Sequence, residues 1–218
     1  TSASDDMYCV FLGKAVQTVN PPAGSVGASQ ISDGSIALGK LSATGTKDAT
    51  TFLRGDNTFN APPLGGITEG DHWRITSNFV PSSTSTTVIN TNWERADGTG
   101  NGYFGTGMSQ SSGIFTFPST GYYLIDFVTS ATPSSTSYVS MVMQATTDNS
   151  SYSTVLRLNM YLTGGDVASS SGTQIIDVTN TSNVKIRFAT EFGNASSQAY
   201  GSSSYTYTGA SFIRLGDT

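Results

Sequence analysis

His72 is the only histidine of the chain and Cys9 its only cysteine, and these two residues bound the chemistry the sequence could perform. Ser-His-Asp hydrolysis needs an imidazole as base with a nucleophile held beside it. The run Asp71-His72-Trp73-Arg74 carries no nucleophile elbow, so His72, at a strand start, reads as a surface or cap residue. One cysteine allows neither an intrachain disulfide nor a Cys-based zinc site. Cys9 lies in the apolar run MYCVFL and is expected to pack as a small hydrophobe. Glycoside cleavage needs two carboxylates facing each other across a cleft. The acids here are few and dispersed, with Asp126 and Asp177 both inside strand-like runs.

Asp97-Gly98-Thr99-Gly100-Asn101-Gly102 has the texture of a calcium or phosphate loop. It lacks both the bidentate Glu of an EF-hand and the Lys and helix of a phosphate loop. A glycine-rich connection between strands is the default, with a calcium ion between subunits as the alternative. Arg54-Gly55-Asp56 matches an integrin-binding tripeptide but reads as a turn, glycine supplying the backbone freedom. The remaining chemistry is recognition. Trp93, Tyr103, Tyr152 and Tyr200, with Tyr205 and Tyr207, lie in or near polar Gly/Ser segments. Rings beside hydroxyls and amides suit sugar, because a ring stacks on the apolar face of a pyranose. The first four are candidate receptor contacts; the competing reading packs such residues at sheet edges or along a trimer axis.

What must position these residues is all β. Of the 218 residues 36% are hydrophobic and only 11% charged, with Ser, Thr and Gly replacing charge as the hydrated surface. The net charge of −5 and the scattered ten basic residues exclude a phosphate-binding stripe, so nucleic acid is not an expected partner. No run approaches the roughly 18–20 apolar residues of a membrane span. The N-terminus lacks a signal-peptide pattern, so cytoplasmic synthesis without secretion is expected.

Residues 67–218 show short β-rich runs every 8–15 residues between Ser, Gly, Asn and Pro clusters, the pattern of a sandwich or jelly roll. In NVKIRFATEF, Val184, Ile186, Phe188, Thr190 and Phe192 share one face, and TVLRLNMYL alternates likewise. GYYLIDFVTS and YVSMVMQAT are apolar on both faces, which predicts cover on both sides. Upstream, residues 1–22 read as a docking hairpin, too small to stand alone, that must pack on another subunit or a larger assembly. Residues 23–66 hold only sparse apolar groups: Ile31, Ile36, Leu38, Leu41, Phe52, Leu53 and Phe59. One chain cannot offset backbone ordering of about 1–2 kcal/mol per residue with so few. Either the stretch is a flexible linker, or it is ordered by winding with identical chains; the recurring Ile and Leu favour the second and make these residues candidate trimerisation residues of an extended stalk.

The run GIFTFPSTGYYLIDF, residues 113–127, resembles the core signature of the tumour-necrosis-factor and complement-type jelly-roll superfamily. The matching positions are Gly113, Phe115, Pro118, Gly121, Tyr122 and Tyr123, and the closing YTGASFIRLG resembles the last strand of that family. The resemblance spans roughly residues 70–216 and implies a compact homotrimer. SQISDGSIALGKLS and TKDATTFLRGDNTFNAPP resemble segments of bacteriophage tail-fibre proteins, and DDMYCVFLGKAVQTVNPP the last strands of a small domain common in such fibres. The expectation is a non-enzymatic, homotrimeric phage virion protein: an N-terminal β-hairpin arm, an extended stalk and an all-β jelly-roll head. It would sit on the virion surface, dock on other virion proteins through residues 1–22 and contact a host glycan or protein, with no cofactor or metal site assigned. Capsid decoration through the N-terminal arm is the alternative, and a polysaccharide-degrading appendage the third.

Overall fold

The computed structural model describes residues 21–62 and 66–218. Cys9 and most of the expected docking hairpin lie outside the described residues. The chain divides into two compact units, residues 1–65 and 66–218.

The described residues of the first unit, 21–62, are built mainly from turns. Short 3-10 turns at Ala28–Gln30 and Leu38–Lys40 precede a minimal ladder of β1 (Phe52–Leu53) and β2 (Phe59–Asn60). The Arg54-Gly55-Asp56 tripeptide forms the bend between them. The Arg54 amide donates to the Thr58 carbonyl (2.8 Å), the Asn57 amide to the Arg54 carbonyl (3.0 Å), and Asn57 takes φ 62°. Lys47 Nζ caps the Leu38 and Leu41 carbonyls at 3.1 and 2.8 Å. Ile31, Ile36, Leu38, Phe52 and Leu53 are exposed, and Leu41 and Phe59 half-buried. The described residues of the unit thus bury little of their own apolar surface.

The second unit is a two-sheet sandwich of β3 (Gly70–Ile75), β4 (Thr87–Val88), β5 (Trp93–Arg95), β6 (Ser109–Ser111), β7 (Ile114–Thr116), β8 (Gly121–Thr132), β9 (Ser137–Thr146), β10 (Ser153–Leu162), β11 (Ala168–Val178), β12 (Lys185–Phe192), β13 (Gln198–Ala199) and β14 (Gly209–Gly216). One sheet runs β10-β9-β12-β7-β6, with β4 also on β12; the other runs β11-β8-β14-β3-β5, with β13 on β8. All the pairings are antiparallel, and the sheets exchange strands as a jelly roll does.

The core follows the alternation. Val184, Ile186, Phe188, Thr190 and Phe192 are all buried, while Arg187 and Glu191 face outward. Phe115 is the hub, with ring centroids 5.0 Å from Trp93, 5.3 Å from Phe212 and 5.6 Å from Phe188. The signature run does structural work. Gly113 sits at φ +78°, where a Cβ would collide with the Ile89 carbonyl oxygen. The buried Tyr123 packs on Phe117 (4.7 Å) and its hydroxyl meets Ser119 Oγ at 3.0 Å. Of the two strands expected to be covered on both faces, β9 is covered within the chain, since Ser140, Val142 and Gln144 on its second face are buried. The second face of β8 is not: Tyr122 is exposed, and Leu124 and Val128 are only half-buried.

Candidate functional site

Strand β3 alternates between two environments, and each holds a buried charge. Asp71, Trp73 and Ile75 point into the sandwich, whereas Gly70, His72 and Arg74 belong to the outer face of their sheet. The Asp71 carboxylate accepts both a bidentate contact from Arg95 (Nε at 2.9 Å, Nη2 at 3.0 Å) and the Trp73 Nε1–H (2.9 Å). It also accepts the Met108 amide (2.7 Å) and the His72 amide (2.9 Å). This saturates the carboxylate, as a buried anion requires. The Arg95 guanidinium lies between two rings, 5.1 Å from Trp73 and 4.1 Å from Tyr103.

Arg74 starts on the outer face and yet is completely buried. Two loops close over it. Its Nε donates to Glu94 (2.9 Å), and its Nη2 donates to Asp97 (2.7 Å) and to the Ser203 carbonyl. The glycine-rich segment 97–102 is thus held by an arginine. Among the described residues no cluster of three or more His, Cys, Asp or Glu could hold a metal ion. The second loop, Ser202–Thr208, is tied down further by the Ser202 amide on the Ile75 carbonyl (2.9 Å) and by Thr206 Oγ1 against His72 Nε2 (2.9 Å).

The outer face of this sheet is ordered in rows. Ile175, Leu124 and Ile213 lie side by side across β11, β8 and β14, and Gly70 of β3 ends the row beneath the Phe104 ring. At about 4.8 Å per strand this apolar band is roughly 15 Å wide. Ile175 is 55% exposed and Phe104 50%, with Leu124 and Ile213 half-buried between them, so the band is open to solvent in one copy of the chain. The next row is polar: Thr173, Asp126, Ser211 and His72. Beyond it come Ser171, Val128 and Gly209, then Ser169 and Ser130. The face therefore grades from apolar to hydroxyl-rich along β8.

The polar row brings an acid, a serine and the histidine together, in the order Asp126–Ser211–His72. A relay needs the imidazole between the other two. Here His72 Nδ1 faces Ser211 Oγ (2.9 Å) and Nε2 faces Thr206, so both ring nitrogens are engaged by hydroxyls. His72 thus lies half-buried on the outer face of β3, within a hydroxyl network. Asp126 and Asp177 share this face but stand four residues apart in register, about 13 Å along the strand. That exceeds the separations of about 5–9.5 Å used in glycoside cleavage.

Burial and the neighbouring Arg74 charge hold the His72 imidazole below its ordinary value of 6.5, against a smaller opposing pull from Asp71 and Asp126. Above pH 6.5 both the folded and unfolded chains carry neutral His72, and its titration changes nothing. As pH falls below 6.5 the unfolded chain takes the proton first, so stability declines until the folded value is reached. As His72 is the only histidine, this slope over the range on the acid side of pH 6.5 should flatten in His72→Gln. Urea midpoints across that range check it; an unchanged slope in the variant would contradict it.

Of the four candidate receptor contacts, Trp93 is corrected. It is 8% exposed, packs on Phe115 and Phe188, and donates its Nε1–H to the Ile89 carbonyl (2.7 Å). The polar residues flanking it in sequence hid a core position. Tyr103 is exposed against Arg95, and Tyr152 lies half-buried with the Arg187 guanidinium 3.9 Å from its ring. Tyr200 lies half-buried, 6.1 Å from Tyr207, which is 6.4 Å from Tyr205. The structure does not gather these candidates: only Tyr200 joins a cluster, with Tyr205 and Tyr207. Sequence reasoning missed the cross-strand pair Tyr138 and Tyr161, 48% and 75% exposed. The second apolar face of β8 was anticipated from GYYLIDFVTS, but not its continuation onto Ile175 of β11 and Ile213 of β14.

No protein-family profile matches this sequence, and no curated protein matches it at a significant level. The fold does match solved structures. Murine APRIL crystallised at pH 5.0 is similar with a TM-score of 0.52 at 14% identity, covering 67% of this chain and 98% of that one. Murine APRIL at pH 8.0 gives a TM-score of 0.50 at the same identity. The Eiger TNF of S. frugiperda gives 0.50 at 12% identity, covering 68% of this chain and 93% of that one. At such identities the likeness establishes the architecture, which is a TNF-like all-β jelly roll.

Proposed function

We propose that the chain is a structural protein of a bacteriophage virion, a homotrimeric fibre whose jelly-roll head contacts the host-cell surface. The observation that carries the assembly is the uncovered apolar band on the β11-β8-β14-β3 face, beside two long unpaired edge strands. β10 and β11 run ten and eleven residues at one side of the sandwich, and neither carries a Lys or Pro to blunt it. A face of one subunit against the edge of the next is a heterologous contact, which closes into a ring. The exposed apolar residues of the stalk, Ile31, Ile36, Leu38, Phe52 and Leu53, are sheltered by the same sister chains. The phage assignment rests on the fibre-like segments at residues 29–42 and 46–63. Contact, not catalysis, is the role proposed for the head, since three weak sites on one rigid stalk bind far more tightly than one.

Immunogold labelling of intact particles with antibody against the chain tests the assignment. A few to a few tens of labelled projections per particle, together with slowed adsorption when cells are pre-incubated with the purified chain, are the expected result. Dense labelling of the capsid would favour decoration, and an unlabelled particle would overturn both.

A further inference from the structure

At its hydroxyl-rich end, the outer face of the β11-β8-β14-β3 sheet opens into two clefts that share Tyr207. One, of about 450 Å³, lies against Ser130, Ser169, Ser171 and Thr206. The other, of about 420 Å³, lies against Asn78, Val167 and Tyr200. We infer that this double cleft binds a neutral oligosaccharide, with Tyr207 stacking between two successive sugar rings. The inference rests on the reading of the head as a surface-contacting module and names the ligand class for it.

Three observations converge. The lining offers hydroxyls, an amide and phenol rings, and no Asp, Glu, Lys or Arg lines either cleft. Such a site rewards polyhydroxylated ligands and offers no ion pair to offset the desolvation of a charged one. Tyr200, Tyr207 and Tyr205 follow one another at 6.1 and 6.4 Å, and Tyr205 and Tyr207 are 68% and 46% exposed. Water-facing rings in series give stacking surface that the fold itself does not consume. The cleft is also built before any ligand arrives. The Tyr200 amide donates to the Ser130 carbonyl (2.8 Å) and the Gly201 amide to Asn78 Oδ1 (3.0 Å). On the other side, the buried Arg74 holds the loop bearing Tyr205 and Tyr207 through the Ser203 carbonyl. Little ordering cost is left for binding. The apolar band at the opposite end of the same face is assigned to a sister subunit, so the two ends have different occupants.

The test is an array carrying neutral hexose, N-acetylhexosamine and deoxyhexose oligosaccharides beside uronic- and sialic-acid-bearing ones, probed with the labelled full-length chain. Binding is expected on neutral members, falling about tenfold or more in Tyr207→Ala. It should persist in Tyr161→Ala, which removes an exposed ring elsewhere. Silence on every neutral glycan, binding confined to acidic ones, or binding unaffected by Tyr207→Ala overturns the inference. So does a change of solution mass in Tyr207→Ala, which would make the cleft a subunit contact. Host-cell binding by the same proteins keeps the two readings apart. A silent array with cell binding retained refutes the glycan cleft alone, whereas loss of cell binding by the unaltered chain refutes the adhesive head.

Discussion

Asp71→Ala is expected to cost the head about 3–5 kcal/mol, the usual consequence of breaking a buried ion pair from one side. The Asp71 side chain is 2% exposed and accepts hydrogen bonds from Arg95, Trp73 and two backbone amides. Removing it strands the Trp73 indole N–H and the Met108 amide without partners and leaves the Arg95 charge, itself 31% exposed, unpaired against the sandwich. A domain of this size has about 5–15 kcal/mol of stability in all, so the variant should unfold at a far lower urea concentration. Asp97→Ala provides the contrast. Asp97 also pairs with an arginine, at 2.7 Å, but its side chain is 79% exposed. Solvent screening holds its expected effect to about 1 kcal/mol or less. Equal losses in the two variants would contradict the buried network as the anchor of β3.

Lysines at the centre of the apolar band should abolish assembly while sparing the fold. In the pair Leu124→Lys and Ile175→Lys both new charges face outward from adjacent strands, at positions directly opposed in register. Ile175 is 55% exposed within one chain, so the isolated sandwich tolerates the change there. Between subunits the same charges meet an apolar partner, and uncompensated burial of two ammonium groups exceeds what an association of ordinary strength supplies. Light scattering should show a trimer reduced to single chains with an unchanged β-sheet circular dichroism spectrum. A variant that stays assembled would place the subunit contact elsewhere.

The legible parts of this protein were those governed by a single local rule. The period of two over residues 184–192 gave the buried face of β12, because that strand lies mid-sheet with one side on the core. Gly113, Phe115, Gly121 and Tyr123 announced the jelly roll, because a left-handed glycine and a buried ring have few substitutes in a tight connection. Trp93 was misread since β5 is only three residues long, too short for any periodic signal, and the polar residues around it outweighed the ring. The pairing of Asp71 with Arg95, and the closure of two loops over Arg74, unite residues from 20 to about 130 positions apart, where sequence spacing carries no information. Even the tyrosine cluster was only half visible. Tyr200, Tyr205 and Tyr207 stood out as aromatic residues in a polar segment, but their hydroxyl-lined wall comes from β8 and β11.

In the proposed assembly the apolar band, the open edges and the exposed stalk residues are all covered by sister copies of the chain. The solution mass of the full chain tests it most directly. Three copies of 22.8 kDa predict about 68 kDa, independent of dilution across the micromolar range. A particle of 22.8 kDa under the same conditions would contradict it.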